Sequence, residues 1–233
     1  MRKWGEDGQG NCQLNCPNSL VISSLTHEVF VCDGGNSRVQ VFDQKGNYIR
    51  EWGGYGKNYG QFEKCQGVAI SRRQEVFVAD SVSNRVQVFS RHGEYMRQFG
   101  GCGTAEGQFQ GVKGVAISSI DEVYTVDKLN HRVQVFAEDG TFLRTFGSFG
   151  KGEGEFDSPS CVTVHFKEEK VYVTDTGNCR VQVFTTAGVF LKSIGFSGSA
   201  DGEFLSPSCI MSVSNGDVLV GDHDSSNIQV FVG

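Results

Sequence analysis

Metal or nucleophilic chemistry in this 233-residue chain would have to start from five histidines (His27, His92, His131, His165, His223) and eight cysteines (Cys12, Cys16, Cys32, Cys65, Cys102, Cys161, Cys179, Cys209). Metal sites need ligands at short, matched spacings. The histidines are scattered and no His-x-His occurs; Cys12 and Cys16 stand four apart with no second pair to match them. His223, between Asp222 and Asp224, is the densest acid–histidine cluster, and a polar turn accounts for it. The expectation is no catalytic residue, no metal and no cofactor. Irregular cysteine placement predicts free thiols in a reducing compartment, hence a cytoplasmic protein. No apolar run is long enough to cross a bilayer and no apolar leader is present, so neither a membrane span nor a secretory signal is expected.

Recognition chemistry is better represented. In Gly53-Gly-Tyr55-Gly-Lys57-Asn58-Tyr59-Gly60 two tyrosines interleave with a lysine, and Lys64 and Gln66 follow closely. An exposed aromatic beside a lysine anchors a protein side chain, or stacks a base next to a phosphate contact. Related positions elsewhere carry Lys113, Lys128, Asn130, His131, Phe149 and Lys151. Together these twelve residues are the predicted partner-binding set. The competing reading is a solvated loop whose tyrosines cover a hydrophobic seam.

The elements that must position them repeat. Asp33, Asp80, Asp127, Asp175 and Asp222 step by 47, 47, 48 and 47 residues, and each opens a turn into a strand ending in Phe42, Phe89, Phe136, Phe184 or Phe231. Such self-similarity marks a repeat architecture. Within one unit, Gly67–Ser71, Glu75–Ala79, Arg85–Phe89 and Tyr95–Phe99 read as four short strands bounded by Gly, Asn and Asp turns. Four antiparallel strands per unit predict an all-β chain of propeller blades. Arg85-Val-Gln-Val-Phe89 alternates, as a strand with one more polar face would. Asn36, Asn130 and Asn178 suit the left-handed conformation that the Asp turn needs. Three aromatic sets recur in register and are assigned to packing between blades: Phe30, Phe77, Tyr124, Tyr172, Leu219; Phe42, Phe89, Phe136, Phe184, Phe231; and Leu14, Phe62, Phe109, Phe156, Phe204. A residue class repeated in nearly every unit is architecture, so the Asp and Arg positions are not candidates for catalysis.

The entries Gly60-Gln-Phe62, Gly107-Gln-Phe109, Gly154-Glu-Phe156 and Gly202-Glu-Phe204, the strand Gly-Val-Ala-Ile and the core Asp127-Lys-Leu-Asn-His-Arg-Val-Gln-Val-Phe136 closely resemble the NHL repeat over essentially the whole chain. The resemblance implies a β-propeller, most often six-bladed, of the kind found at the C-terminus of tripartite-motif ubiquitin ligases and related translational repressors. It also implies ligands at the end where crossover loops and Asp turns meet. Five units are present, at roughly 5–52, 53–99, 100–146, 147–194 and 195–233 plus 1–4, within one expected domain over 1–233. Trp4 matches Trp52, so the N-terminal strand is expected to complete the last blade and close five blades; the alternative is a truncated six-bladed propeller.

Charge bears on the partner. Residues 1–116 hold 13 Lys/Arg against 11 Asp/Glu, and residues 117–233 hold 8 against 16. A broad phosphate-binding surface needs a strong basic excess. A partner protein is therefore favoured, with single-stranded or hairpin RNA as the alternative, and lectin-like sugar binding or a metal-dependent lyase as remote ones. The isolated domain is expected to be a monomer without a small-molecule substrate, and to serve substrate recruitment in a tripartite-motif-like ligase or scaffold.

Overall fold

The computed structural model describes residues 3–165, 167–213 and 215–232. Only three single-turn 3-10 helices interrupt the strands of the described residues, at Gly34–Asn36, Lys128–Asn130 and Thr176–Asn178. The chain packs as two compact units, Met1–Gly103 and Thr104–Gly233.

The first unit holds two four-stranded antiparallel blades. Blade one comprises Pro17–Ile22, Val29–Asp33, Arg38–Phe42 and Tyr48–Gly53; blade two comprises Cys65–Ile70, Val76–Asp80, Arg85–Phe89 and Tyr95–Gly100. The second unit continues with blade three (Val112–Ile117, Val123–Asp127, Arg132–Phe136, Phe142–Phe146) and blade four (Val162–His165, Lys170–Asp175, Arg180–Thr185, Phe190–Ile194). Blade five is described with three strands, Pro207–Ser212, Val218–Asp222 and Asn227–Phe231. The fold is thus all-β and of the propeller type, with the five blades that the Asp spacing predicts.

Met1 and Arg2, half of the segment expected to complete blade five, lie outside the described residues. Trp4 packs on Phe42 with ring centroids 4.5 Å apart, as Trp52 packs on Phe89 at 5.8 Å. Glu6–Asp7 pairs in parallel with Gln13–Leu14, and the later crossovers repeat this as single bridges, Tyr55 with Phe62, Phe149 with Phe156 and Ser197 with Phe204. Residues 4–14 therefore reproduce an outer-strand aromatic followed by a crossover loop.

The repeated aromatics form the seams. Phe30, Cys32, Val39 and Val41 of blade one cluster with Phe62, Val68, Val76, Val78 and Phe89 of blade two. In the second unit, Phe156 joins blades three and four, and Phe204 joins blades four and five. Phe62, Phe109, Phe156 and Phe204 are all fully buried, whereas Leu14, Leu219 and Phe231 are only half-buried.

One expectation needs correction. The glutamine of Val-Gln-Val does not point to a wetter face: Gln40, Gln87, Gln134 and Gln182 are fully buried. Each lies in a hydrogen-bonded cluster described below, which satisfies its amide and makes burial tolerable.

A second repeated arrangement lies where the outer strand passes the start of the second strand. Arg50 pairs with Glu28 at 2.7 Å above the ring of Phe30, and Arg144 pairs with Glu122 at 2.8 Å above Tyr124. Arg97 repeats the pattern with Glu75 and Phe77. The hydrogen bond from its arginine holds each of Glu28 and Glu122 below the ordinary value near 4.5, against an opposing push from burial. A depressed folded-state value stabilises above the unfolded value and loses that contribution as pH falls through the folded one. Stability is therefore expected to be level from neutral pH down to about pH 5 and to fall below it. Urea titrations at stepped pH check this, and Glu122→Gln should flatten the acid limb.

Candidate functional site

Each crossover loop is tied down by the Asp turn of the blade it enters. Asp33, Asp80, Asp127 and Asp175 are fully buried. Asp175 shows the full set: its Oδ1 accepts the Asp157 N–H at 2.7 Å, and its Oδ2 accepts Arg180 Nε at 2.8 Å and Gln182 Nε2 at 3.0 Å. Asn178 Nδ2 donates to the same carboxylate at 3.0 Å. Arg180 Nη2 then donates to the carbonyls of Gly152 and Glu155, and Gln182 holds the loop from both ends, through the Glu155 carbonyl and the Gly154 N–H. Asp33, Asp80 and Asp127 repeat the Arg pairing, at 2.8, 3.3 and 2.9 Å. The Asp–Arg–Gln positions are spent on loop geometry, as their repetition implies.

The left-handed residue of the turn is one place further along than expected. Ser37, His131 and Cys179 take φ of 53°, and Asn84 takes 54°. Asn36, Asn130 and Asn178 are displaced from that role because their side-chain amides bond the turn's aspartate, at 2.8 Å from Asn130 to Asp127.

Blade five departs from the pattern. Asn227 stands in the arginine position and Ser225 in the asparagine position, and Asp222 is held by the N–H groups of Leu205 and Ser206, at 2.7 and 2.8 Å, and by the Ser225 hydroxyl. Burial pushes Asp222 up, but these donors outweigh it and hold the carboxyl below its usual value. His223 Nδ1 lies 2.8 Å from Asp224 Oδ1 in an exposed turn.

The predicted binding residues divide by unit. In the first, Tyr55 is 77% exposed. Lys57 extends into solvent, 3.6 Å from Glu63 Oε1. Asn58 is exposed, and its carbonyl accepts Arg85 Nη2 at 3.2 Å. Tyr59 is also exposed but stacks on Tyr95 with centroids 4.9 Å apart, so one of its faces is covered. Lys64 is exposed while its backbone N–H binds Asp80 Oδ1, and Gln66 is half-buried in the inner strand. Tyr55, Lys57, Asn58 and Lys64 remain outward-facing groups on a loop with a fixed backbone.

In the second unit, Phe149 is 68% exposed and meets the edge of His131 at 4.7 Å. His131 Nδ1 accepts the Ser158 N–H at 3.0 Å, and Asp157 Oδ1 lies 3.8 Å away. Lys151 is exposed, and Lys113 and Lys128 are half-buried. Asn130 belongs to the clamp. Phe149 and Tyr55 occupy the same bridge position, seven residues before the buried Phe of the next blade.

Searching for aromatic–lysine pairs missed the aliphatic side chains of the same loops and turns. Val82 and Leu129 are 54% and 59% exposed in the turns after Asp80 and Asp127, and Phe196 is 64% exposed in the crossover after blade four. Their signal was a large apolar residue inside a turn otherwise built of small and polar ones. Among the described residues no three His, Cys, Asp or Glu side chains gather as a metal site, and no helix is long and apolar enough to cross a membrane.

Comparison with known proteins bears on the repeats and on the fold. The NHL repeat pattern matches residues 62–89 and 156–184, the stretches from the crossover Phe to the end of Val-Gln-Val-Phe in blades two and four. RING finger protein nhl-1 of Caenorhabditis elegans is 38% identical over 69 residues, which is 30% of this chain and 7% of that protein. A streptogramin B lyase structure superposes with a TM-score of 0.67 at 14% identity, over 93% of this chain and 68% of the lyase. The WD40 beta propeller domain of Doa1 gives 0.64 at 14% identity, over 95% and 63%. At such identities the likeness establishes the β-propeller fold alone.

Proposed function

Because the chain carries NHL repeats on a β-propeller fold, we propose that it is a non-catalytic recognition module that captures a partner protein through its crossover loops and Asp turns. One observation carries the reading. At a single bridge position, two blades place large exposed aromatics, Tyr55 and Phe149, on loops whose backbones the clamp immobilises. Rigid aromatic anchors lose little conformational entropy on binding, and such residues dominate interface energies. Lysines two residues on, Lys57 and Lys151, add a charged rim.

The match to a RING finger protein supports a finer form of the proposal, in which the propeller recruits substrates for a ubiquitin ligase whose catalytic part lies in other segments. The uneven charge favours protein over RNA as the ligand.

Tyr55→Ala combined with Lys57→Glu should weaken partner capture at least about tenfold, by removing a hot-spot anchor and reversing its neighbouring charge, while the urea midpoint stays unchanged. Isothermal titration against the captured partner reads the loss. Unchanged affinity would move the site away from this loop. Binding to single-stranded oligomers that disappears steeply with added salt would replace the protein by RNA.

A further inference from the structure

Two apolar surfaces in this chain are uncovered, and the repeat itself shows what each was shaped to meet. Every seam joins the second and third strands of one blade to the inner and second strands of the next. On the first side of that seam, Val181 and Val183 of blade four are fully buried against Phe204, Ile210, Val218 and Val220 of blade five, and Val133 and Val135 are buried against blade four in the same way. The corresponding residues of blade five, Ile228 and Val230, are 69% and 57% exposed. Met211, on the inner strand beside them, is 54% exposed. On the second side, Val162 and Val164 of blade four are 3% and 4% exposed, and Val68 of blade two is 5% exposed. Their counterparts in blade one, Leu20 and Ile22, are 59% and 53% exposed.

We propose that these two surfaces bind each other between copies of this chain, blade five of one copy docking on blade one of the next as consecutive blades dock within it. A single blade cannot bury its apolar face alone, and contiguous exposed apolar surface of this kind marks an interaction site. The occupant is specified by the seam. It must present a branched aliphatic pair on an inner strand, and Leu20 and Ile22 supply that pair at the positions filled by Val162 and Val164 inside the fold. The rest of blade one is already dressed for the contact, because Trp4, Cys12 and Leu14 pack over Val29, Val31 and Phe42. Polar stitches of the existing seams, such as Cys161 Sγ reaching the Ile210 carbonyl at 4.0 Å and the Val68 N–H meeting Ser19 Oγ at 3.4 Å, place Cys209 of one copy beside Leu20 of the other. The two patches differ, so the association is head-to-tail. This proposal replaces the expectation of a monomer.

Light scattering coupled to size exclusion tests it. The wild-type chain should run above the mass of one chain and approach it on dilution. Ile228→Glu, which spoils only the blade-five surface, and Leu20→Glu, which spoils only the blade-one surface, should each run at the mass of one chain. Mixed, the two variants should form a complex of two chains, since each retains the surface that the other lacks. That complementation separates loss of the interface from loss of the fold; if either variant loses its native circular dichroism, Ile228→Ser and Leu20→Ser take its place. A wild-type mass of one chain at every concentration would overturn the proposal. So would two folded variants that do not associate. Strong amide-exchange protection of Ile228 in a single-chain species would likewise overturn it, because the face would then be covered from within.

Discussion

Asp175→Ala should lower stability by about 3–5 kcal/mol, among the largest effects of any single substitution in this protein, although the residue touches no ligand surface. The reason lies in what the change leaves behind. Arg180, with a side chain 15% exposed, would keep its charge without the carboxylate that Nε addresses at 2.8 Å. Breaking a buried pair from one side costs about this much because the remaining charge is uncompensated. Gln182 and the Asp157 N–H would lose an acceptor as well. The fifth blade supplies a control. Asp222 has Asn227 in place of the arginine, so Asp222→Ala strands only neutral donors and should cost about 1–3 kcal/mol. Urea denaturation of the two variants against wild type reads the difference, and equal losses would mean that the arginine contributes little.

Phe156→Ala should destabilise by about 3–5 kcal/mol for a different reason, the loss of a buried ring and the cavity it leaves. Phe156 is fully buried, lies 5.5 Å from the Phe184 ring and shares one cluster with Val133 and Val135 of one blade and Val162 and Val164 of the next. Collapse into the cavity is opposed by strands on both sides that are locked in register. The loss should appear as a shifted urea midpoint with little change in slope. Tyr55→Ala, by contrast, removes a ring that is 77% exposed and should leave the midpoint in place.

What could be read from the residues follows from this division. The Asp spacing, the Gly-x-Phe entries and the Val-Gln-Val-Phe strands repeat because every blade must solve the same packing problem, so blade number, strand order and most seam residues were legible. The glutamine was misassigned because alternation reports polarity and not exposure; a polar side chain inside a closed hydrogen-bond cluster looks, in sequence, like one facing water. The displaced left-handed residue has a similar cause. Asn36, Asn130 and Asn178 are competent for that backbone, but their amides are more useful on the aspartate, and the conformation passed to Ser37, His131 and Cys179. The candidate site was legible only in part. Tyr55 and Phe149 stood out as loop residues that differ between blades, whereas the stacking of Tyr59 on Tyr95 depends on a partner 36 positions away that no local pattern announces.

The central claim is that recognition belongs to the loops that vary and not to the turns that repeat. Site-specific photo-crosslinking tests it most directly, with the crosslinker placed at Tyr55 or Phe149 in one set of chains and at Ile49 or Leu143, exposed on the outer strands, in another. Crosslinks to a bound partner protein from positions 55 and 149, and none from 49 and 143, are the predicted result. Crosslinks from the outer strands alone would contradict it.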